Sequence, residues 1–137
     1  MLRQSCAMVY PHHSLVAWRR ADDLFVEVHH LTNARFPAHE RYTLTSQTRR
    51  AALSVPLNIV EGFARRHLPE RLQFPRVSWA SLAELDYCLH VARRLGYISQ
   101  AEYDQVDRDL ARTAAPLRGL MNQVVERVQS SRRSQKP

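Results

Sequence analysis

LTSQTRRAALSVPLNIVEGFARR, Leu44 to Arg66, decides the fold. At 100° per residue, Gln47, Arg50, Ser54, Asn58, Glu61 and Arg65 fall in one narrow polar stripe. Ala52, Leu53, Val55, Pro56, Leu57, Ile59, Val60 and Phe63 cover well over half of the remaining circumference. The spacing predicts a helix. A helix of a simple bundle needs an apolar stripe only a little over ~100° wide. This one has more, and surplus apolar surface asks for a second burial partner. The economical partner is another copy of the chain. The polar stripe would then set register, so Arg50, Ser54, Asn58 and Glu61, with Glu84 from the next helix, are expected to form an oligomer or interhelix polar network.

Three further helices flank this one. An amphipathic pattern runs from Ser14 to about Asn33, with Trp18, Ala21, Leu24, Phe25, Val28, Leu31 and Thr32 on its apolar side. Phe36-Pro37 ends it. Thr43 or Thr45 caps the second helix, which reaches Arg66. The third lies between Pro69 and Leu95, with Gly96 as its C′ residue. Ser99-Gln100-Ala101-Glu102 reads as a capping box that opens the fourth. The seam of that helix is Tyr103, Val106, Leu110, Ala114, Leu117, Met121, Val124 and Val128. Residues 1–13 are expected to be a flexible extension, 14–129 the bundle, and 130–137 a basic disordered tail. Four helices with short connections make an all-α, antiparallel up-down-up-down four-helix bundle. Pro56, Pro75 and Pro116 fall inside helices and predict kinks. Pro75 allows the third helix to start near it, or to start at Pro69 and bend early; the second is favoured.

The totals agree with one helical domain: 137 residues, 45% hydrophobic, three glycines. Cys6 and Cys88 make no CxxC pair and read as free thiols of a reducing compartment. No apolar signal region opens the chain, and no uncharged run approaches the ~20 residues that span a bilayer. A cytoplasmic protein with no membrane partner is expected. Net charge is +7, carried almost wholly by arginine. Five arginine doublets predict attraction to polyanions, although a merely solvated basic surface has the same composition. The phosphate-contact candidates are Arg49, Arg50, Arg65, Arg66, Arg93, Arg94, Arg132, Arg133 and Lys136. Arginine suits this role because its planar fork donates two parallel hydrogen bonds.

Chemistry is sparse. There is no GxSxG, P-loop, GxGxxG, HExxH or paired-cysteine zinc pattern. No metal or cofactor is expected. Asp86 and His90 stand at i, i+4, a spacing that more often makes a surface contact than a dyad. Glu61 and Glu84 could meet across antiparallel helices, and facing carboxylates can do acid–base work. With Arg49, Arg50 and Arg65 nearby, ion pairing is the favoured role, and the enzyme reading is set aside.

Leu44 to Gln47, Arg49 to Ala51, Ser54-Val55-Pro56, Asn58, Glu61-Gly62, Ser81 to Leu85 and Leu95 to Tyr97 together resemble the motifs of a known family. These are the four-helix-bundle proteins encoded in intervening sequences of bacterial 23S ribosomal RNA genes, also called S23-type. The resemblance spans roughly residues 14–128. It implies a left-handed antiparallel bundle assembling as a homopentamer. It also implies kinship with the basic, nucleic-acid-binding accessory proteins of diversity-generating retroelements. No catalytic residues come with it. This chain departs from the pattern at Leu57, Val60 and Ala64, which makes the second helix more apolar, and at Pro75, which bears on where the third helix starts. The expected function is a non-enzymatic, oligomeric accessory protein that binds RNA or DNA. The alternative is a protein–protein adaptor or scaffold with no nucleic-acid role.

Overall fold

The computed structural model describes residues 15–137. Among them are four α-helices, α1 (Val16–Arg35), α2 (Leu44–Ala64), α3 (Leu68–Arg94) and α4 (Gln100–Ser134), plus a short 3-10 turn at Ala38–Glu40. Each helix packs against its two neighbours in the order α1–α2–α3–α4–α1, with no diagonal packing. That closed square, with short connections, is the up-down-up-down bundle expected from the sequence. Its axis is filled by Ala21, Leu24 and Val28 from α1, Ala52, Val55 and Ile59 from α2, Leu85 and Leu89 from α3, and Leu117 from α4, each almost wholly buried.

Pro56, Pro75 and Pro116 all lie inside helices. α3 begins at Leu68 with Pro69 in its first turn and continues through Pro75, the favoured of the two sequence readings. Proline at the first turn removes no intrahelical bond. Pro75 has no N–H for the Arg71 carbonyl, and that carbonyl lies close to Gly62: a Cβ placed there would stand 3.6 Å from it and 3.2 Å from the Phe74 Cβ. Gly62 is thus where α2 and α3 approach so closely that a side chain would fit only if the neighbour gave by a few tenths of an ångström.

The two ends are closed differently. At the α3–α4 turn, Gly96 has φ +78°. The Tyr97 and Gly96 amides donate to the Ala92 and Arg93 carbonyls, a Schellman closure. The Ser99 hydroxyl accepts from the Glu102 amide at 3.1 Å, and the Glu102 carboxylate accepts from the Ser99 amide at 3.0 Å, the capping box read from sequence. Thr43 precedes α2 but its side chain does not cap it. Glu40 does so instead, accepting from the Leu44 amide at 3.2 Å and the Thr43 hydroxyl at 3.1 Å. At the opposite end neither Leu15 nor His67, before α1 and α3, gives a side-chain cap.

α4 continues five residues past the bundle boundary drawn at 129 from sequence, ending at Ser134. The Ser134 hydroxyl donates to the Ser130 carbonyl at 3.0 Å. Backbone bonds of a nucleated helix need no tertiary partner, so an exposed segment can extend it. The start expected at Ser14 and the extension 1–13, with Cys6, lie outside the described residues.

Candidate nucleic-acid interface

The polar stripe of α2 resolves into two parts. Ser54 joins the seam with α3, and Asn58 supports it from one turn on in the same helix: Asn58 Nδ2 donates to the Ser54 carbonyl at 2.8 Å and to Ser54 Oγ at 3.0 Å. Ser81 Oγ donates to Ser54 Oγ at 2.7 Å, and buried Ser78 donates to the Val55 carbonyl at 2.9 Å. The two serine bonds from α3 fix its register on α2. Ser78 was not singled out from sequence, because one serine in an otherwise apolar face carries no pattern.

Arg50, Glu61 and Glu84 stand outside this network. Arg50 and Glu84 are exposed and make no hydrogen bond or ion pair among the described residues. Glu61 pairs only with Arg65, one turn on, at 3.4 Å. The register keeps Glu61 and Glu84 apart. Ser54 beside Ser81 and Gly62 beside Phe74 place Glu61 level with about residue 74, roughly 15 Å along the bundle from Glu84 at ~1.5 Å per residue. The facing-carboxylate geometry considered from sequence is absent.

The helical doublets Arg49-Arg50 and Arg93-Arg94 split, because neighbours on a helix point about 100° apart, and of Arg65-Arg66, just past the end of α2, one member is engaged. Arg49 turns inward and its Nε donates to Thr32 Oγ1 at 2.8 Å, tying α2 to α1. Arg93 donates to Gln100 Oε1 at 3.2 Å, lies 3.3 Å from His90 Nδ1, and stacks over the Tyr103 ring at 5.4 Å. Arg65 stacks over the Phe74 ring at 5.3 Å and pairs with Glu61. Their partners Arg50, Arg66 and Arg94 are exposed and unengaged, as are Arg132, Arg133 and Lys136. Three of the nine phosphate candidates are therefore already held by the protein.

Charge is unevenly placed along the bundle. The half containing the α2–α3 turn comprises residues 15–25, 54–80 and 114–137. It holds eleven basic side chains, among them Arg65, Arg66, Arg71, Arg127, Arg132, Arg133 and Lys136, against five acidic ones. The other half, residues 26–53 and 81–113, holds eight of each. The whole surplus of the described chain sits at the α2–α3 end, where α4 also runs past the start of α1. The same end contains a mostly apolar cavity of about 220 Å³ bordered by Ile59, Gly62, Phe63, Val124 and the two cations Arg71 and Arg127.

The balanced half spends its charge internally. Arg35 Nε donates to Glu102 Oε2 at 2.8 Å. The backbone amide of Ser99, with Arg35, holds the Glu102 carboxyl below its usual range. On the α1–α4 seam, burial first and a hydrogen bond with Asp109 second push the Glu27 carboxyl up to about 7. Burial raises the Cys88 thiol, which is free. Among the described residues no group of three histidine, cysteine or carboxylate side chains is placed to hold a metal ion. No helix among them is long and apolar enough to cross a membrane.

A family model described as 23S rRNA-intervening sequence protein matches residues 13–119. The fold is similar to that of a Bacteroides thetaiotaomicron VPI-5482 protein of unknown function from the S23 ribosomal protein family. The TM-score is 0.71 at 17% identity, covering 77% of this chain and 98% of that one. No curated protein sequence matches the chain.

Proposed function

The chain belongs to the 23S rRNA-intervening sequence protein family, and from that membership and its charge distribution we propose a non-enzymatic, self-assembling accessory protein that binds RNA or DNA through the basic end of its bundle. The observation that carries this reading is the confinement of the whole basic surplus to the α2–α3 end. Arg66, Arg132, Arg133 and Lys136 are the primary phosphate contacts, being exposed and unpaired there. Arg49 and Arg93 are structural, since phosphate would have to displace bonds the fold already makes. Arg50 and Arg94 lie in the balanced half and contribute less.

Several copies in one ring, five by the family resemblance, would present several basic ends on one surface. Weak phosphate contacts then add through avidity. The reading is tested by binding of a labelled structured RNA and of duplex DNA across a salt series. Affinity that falls linearly in log–log form, by about 0.9 per neutralised phosphate on duplex DNA, supports it. No binding at low salt makes the charge incidental. It would favour the adaptor reading, in which the exposed apolar side chains of α2 serve another protein.

A further inference from the structure

Leu53 and Leu57 are exposed on α2, 39% and 50%, on the side turned away from the Ser54–Ser81 seam. Arg50 and Glu61 flank them, one at each end. The stripe therefore reads cation, two leucines, anion along the helix. On α3 and α4 lies an apolar groove of about 250 Å³ floored by Leu82, Ala83, Leu110 and Ala111. Asp86 and Asp107 stand at its end nearer the α3–α4 turn. Trp79 lines the other end, and Arg118 stacks on its ring at 5.0 Å. The groove therefore reads anion, apolar floor, cation.

The two features also match in height. The Ser54–Ser81 and Val55–Ser78 bonds set Leu57 level with the turn of Trp79, Leu53 with that of Ala83, and Arg50 with Asp86. We propose that this α2 ridge seats in the α3–α4 groove of a second copy of this chain, with Arg50 against Asp86 and Asp107 and Glu61 against Arg118. This rests on the self-assembly in the function proposed above and specifies its surfaces.

Geometry sets the kind of assembly. Ridge and groove are different surfaces of one molecule, so the contact is heterologous and repeats from copy to copy. Equal heights leave no rise per copy along the bundle, so successive bundles run side by side and parallel, and the repeat closes into a ring where its rotation divides a full turn. The reverse orientation would put Arg50 on Arg118 and Glu61 on the aspartates, a like-charge clash at both ends.

Native mass spectrometry of the full chain tests this with Arg50→Glu, Asp107→Arg and the double variant. Both sites are exposed, so neither reversal touches the core. Each single reversal should weaken assembly at least tenfold, and the double should restore it. An assembly insensitive to either reversal, or a double variant that stays apart, overturns the pairing while leaving self-assembly standing. A monomeric wild type at tens of micromolar overturns both. As a second readout, in a Cys6→Ser background, Leu53→Cys mixed with Ala83→Cys should give disulfide-linked dimers that neither gives alone. Absence of the mixed dimer, or an equal yield from one variant alone, contradicts the contact.

Discussion

The two ends of the bundle differ in closure and in charge together. At the α3–α4 turn, helix termini are locked by a Schellman closure, a capping box, the Glu40 carboxylate under α2 and the Arg35–Glu102 pair. Charges there balance and are largely used within the fold. At the α2–α3 turn, side-chain caps are missing from α1 and α3, a cavity remains, and the basic surplus stands exposed. The comparison teaches that one helical bundle can divide its polar groups: one end spends them on stability, and the other leaves its surplus cations exposed.

The comparison is broken first at the α2–α3 contact. Gly62→Ala puts a Cβ 3.2 Å from the Phe74 Cβ, so the backbone around Phe74 must give by a few tenths of an ångström. Overpacking of this kind costs about 1–3 kcal/mol, and a fall in the urea midpoint should show it. Gly119→Ala, on α4 with nothing within 4 Å, should instead stabilise by up to about 1 kcal/mol through helix propensity. At the locked end, Ser99→Ala removes the cap from α4 and should cost about 1 kcal/mol in the same assay.

The smallest effect is pH-dependent. Glu27 binds its proton more tightly in the folded chain than in the unfolded one, where the carboxyl keeps its ordinary value of 4.5. The protonated folded form is therefore fully favoured below that value, and the advantage is lost as pH rises towards about 7. Glu27→Gln should raise the melting temperature slightly at pH 8 and leave it unchanged near pH 4. An equal shift at both pH values would contradict the assignment.

Much of this architecture is legible in the sequence, because apolar periodicity, Phe36-Pro37, Gly96 and the Ser99–Glu102 box are all local signals. The Ser54 and Asn58 part of the α2 network is legible for the same reason, since it lies on one helical stripe. Ser78 is not, because its partner is a backbone carbonyl on another helix. Nor is the inward turn of Arg49 and Arg93, because a doublet read as a unit hides the 100° between its members. The separation of Glu61 from Glu84 depends on the α2–α3 register, which the Gly62–Phe74 approach sets. The charge asymmetry depends on chain direction as well: four alternating helices bring residues from separate segments to one end, and only the folded topology adds them together.

The most direct measurement compares two triple variants that remove the same charge from opposite ends. One is Arg66→Ala with Arg132→Ala and Arg133→Ala; the other is Arg41→Ala with Arg94→Ala and Arg108→Ala. Binding of both to duplex DNA is followed across a salt series beside the wild type. The account predicts that the first lowers the log–log slope by about 2–3, near 0.9 per lost contact, and that the second leaves it unchanged. Equal losses from the two ends would mean that total charge, not its placement at the α2–α3 end, governs binding, and would contradict the central claim.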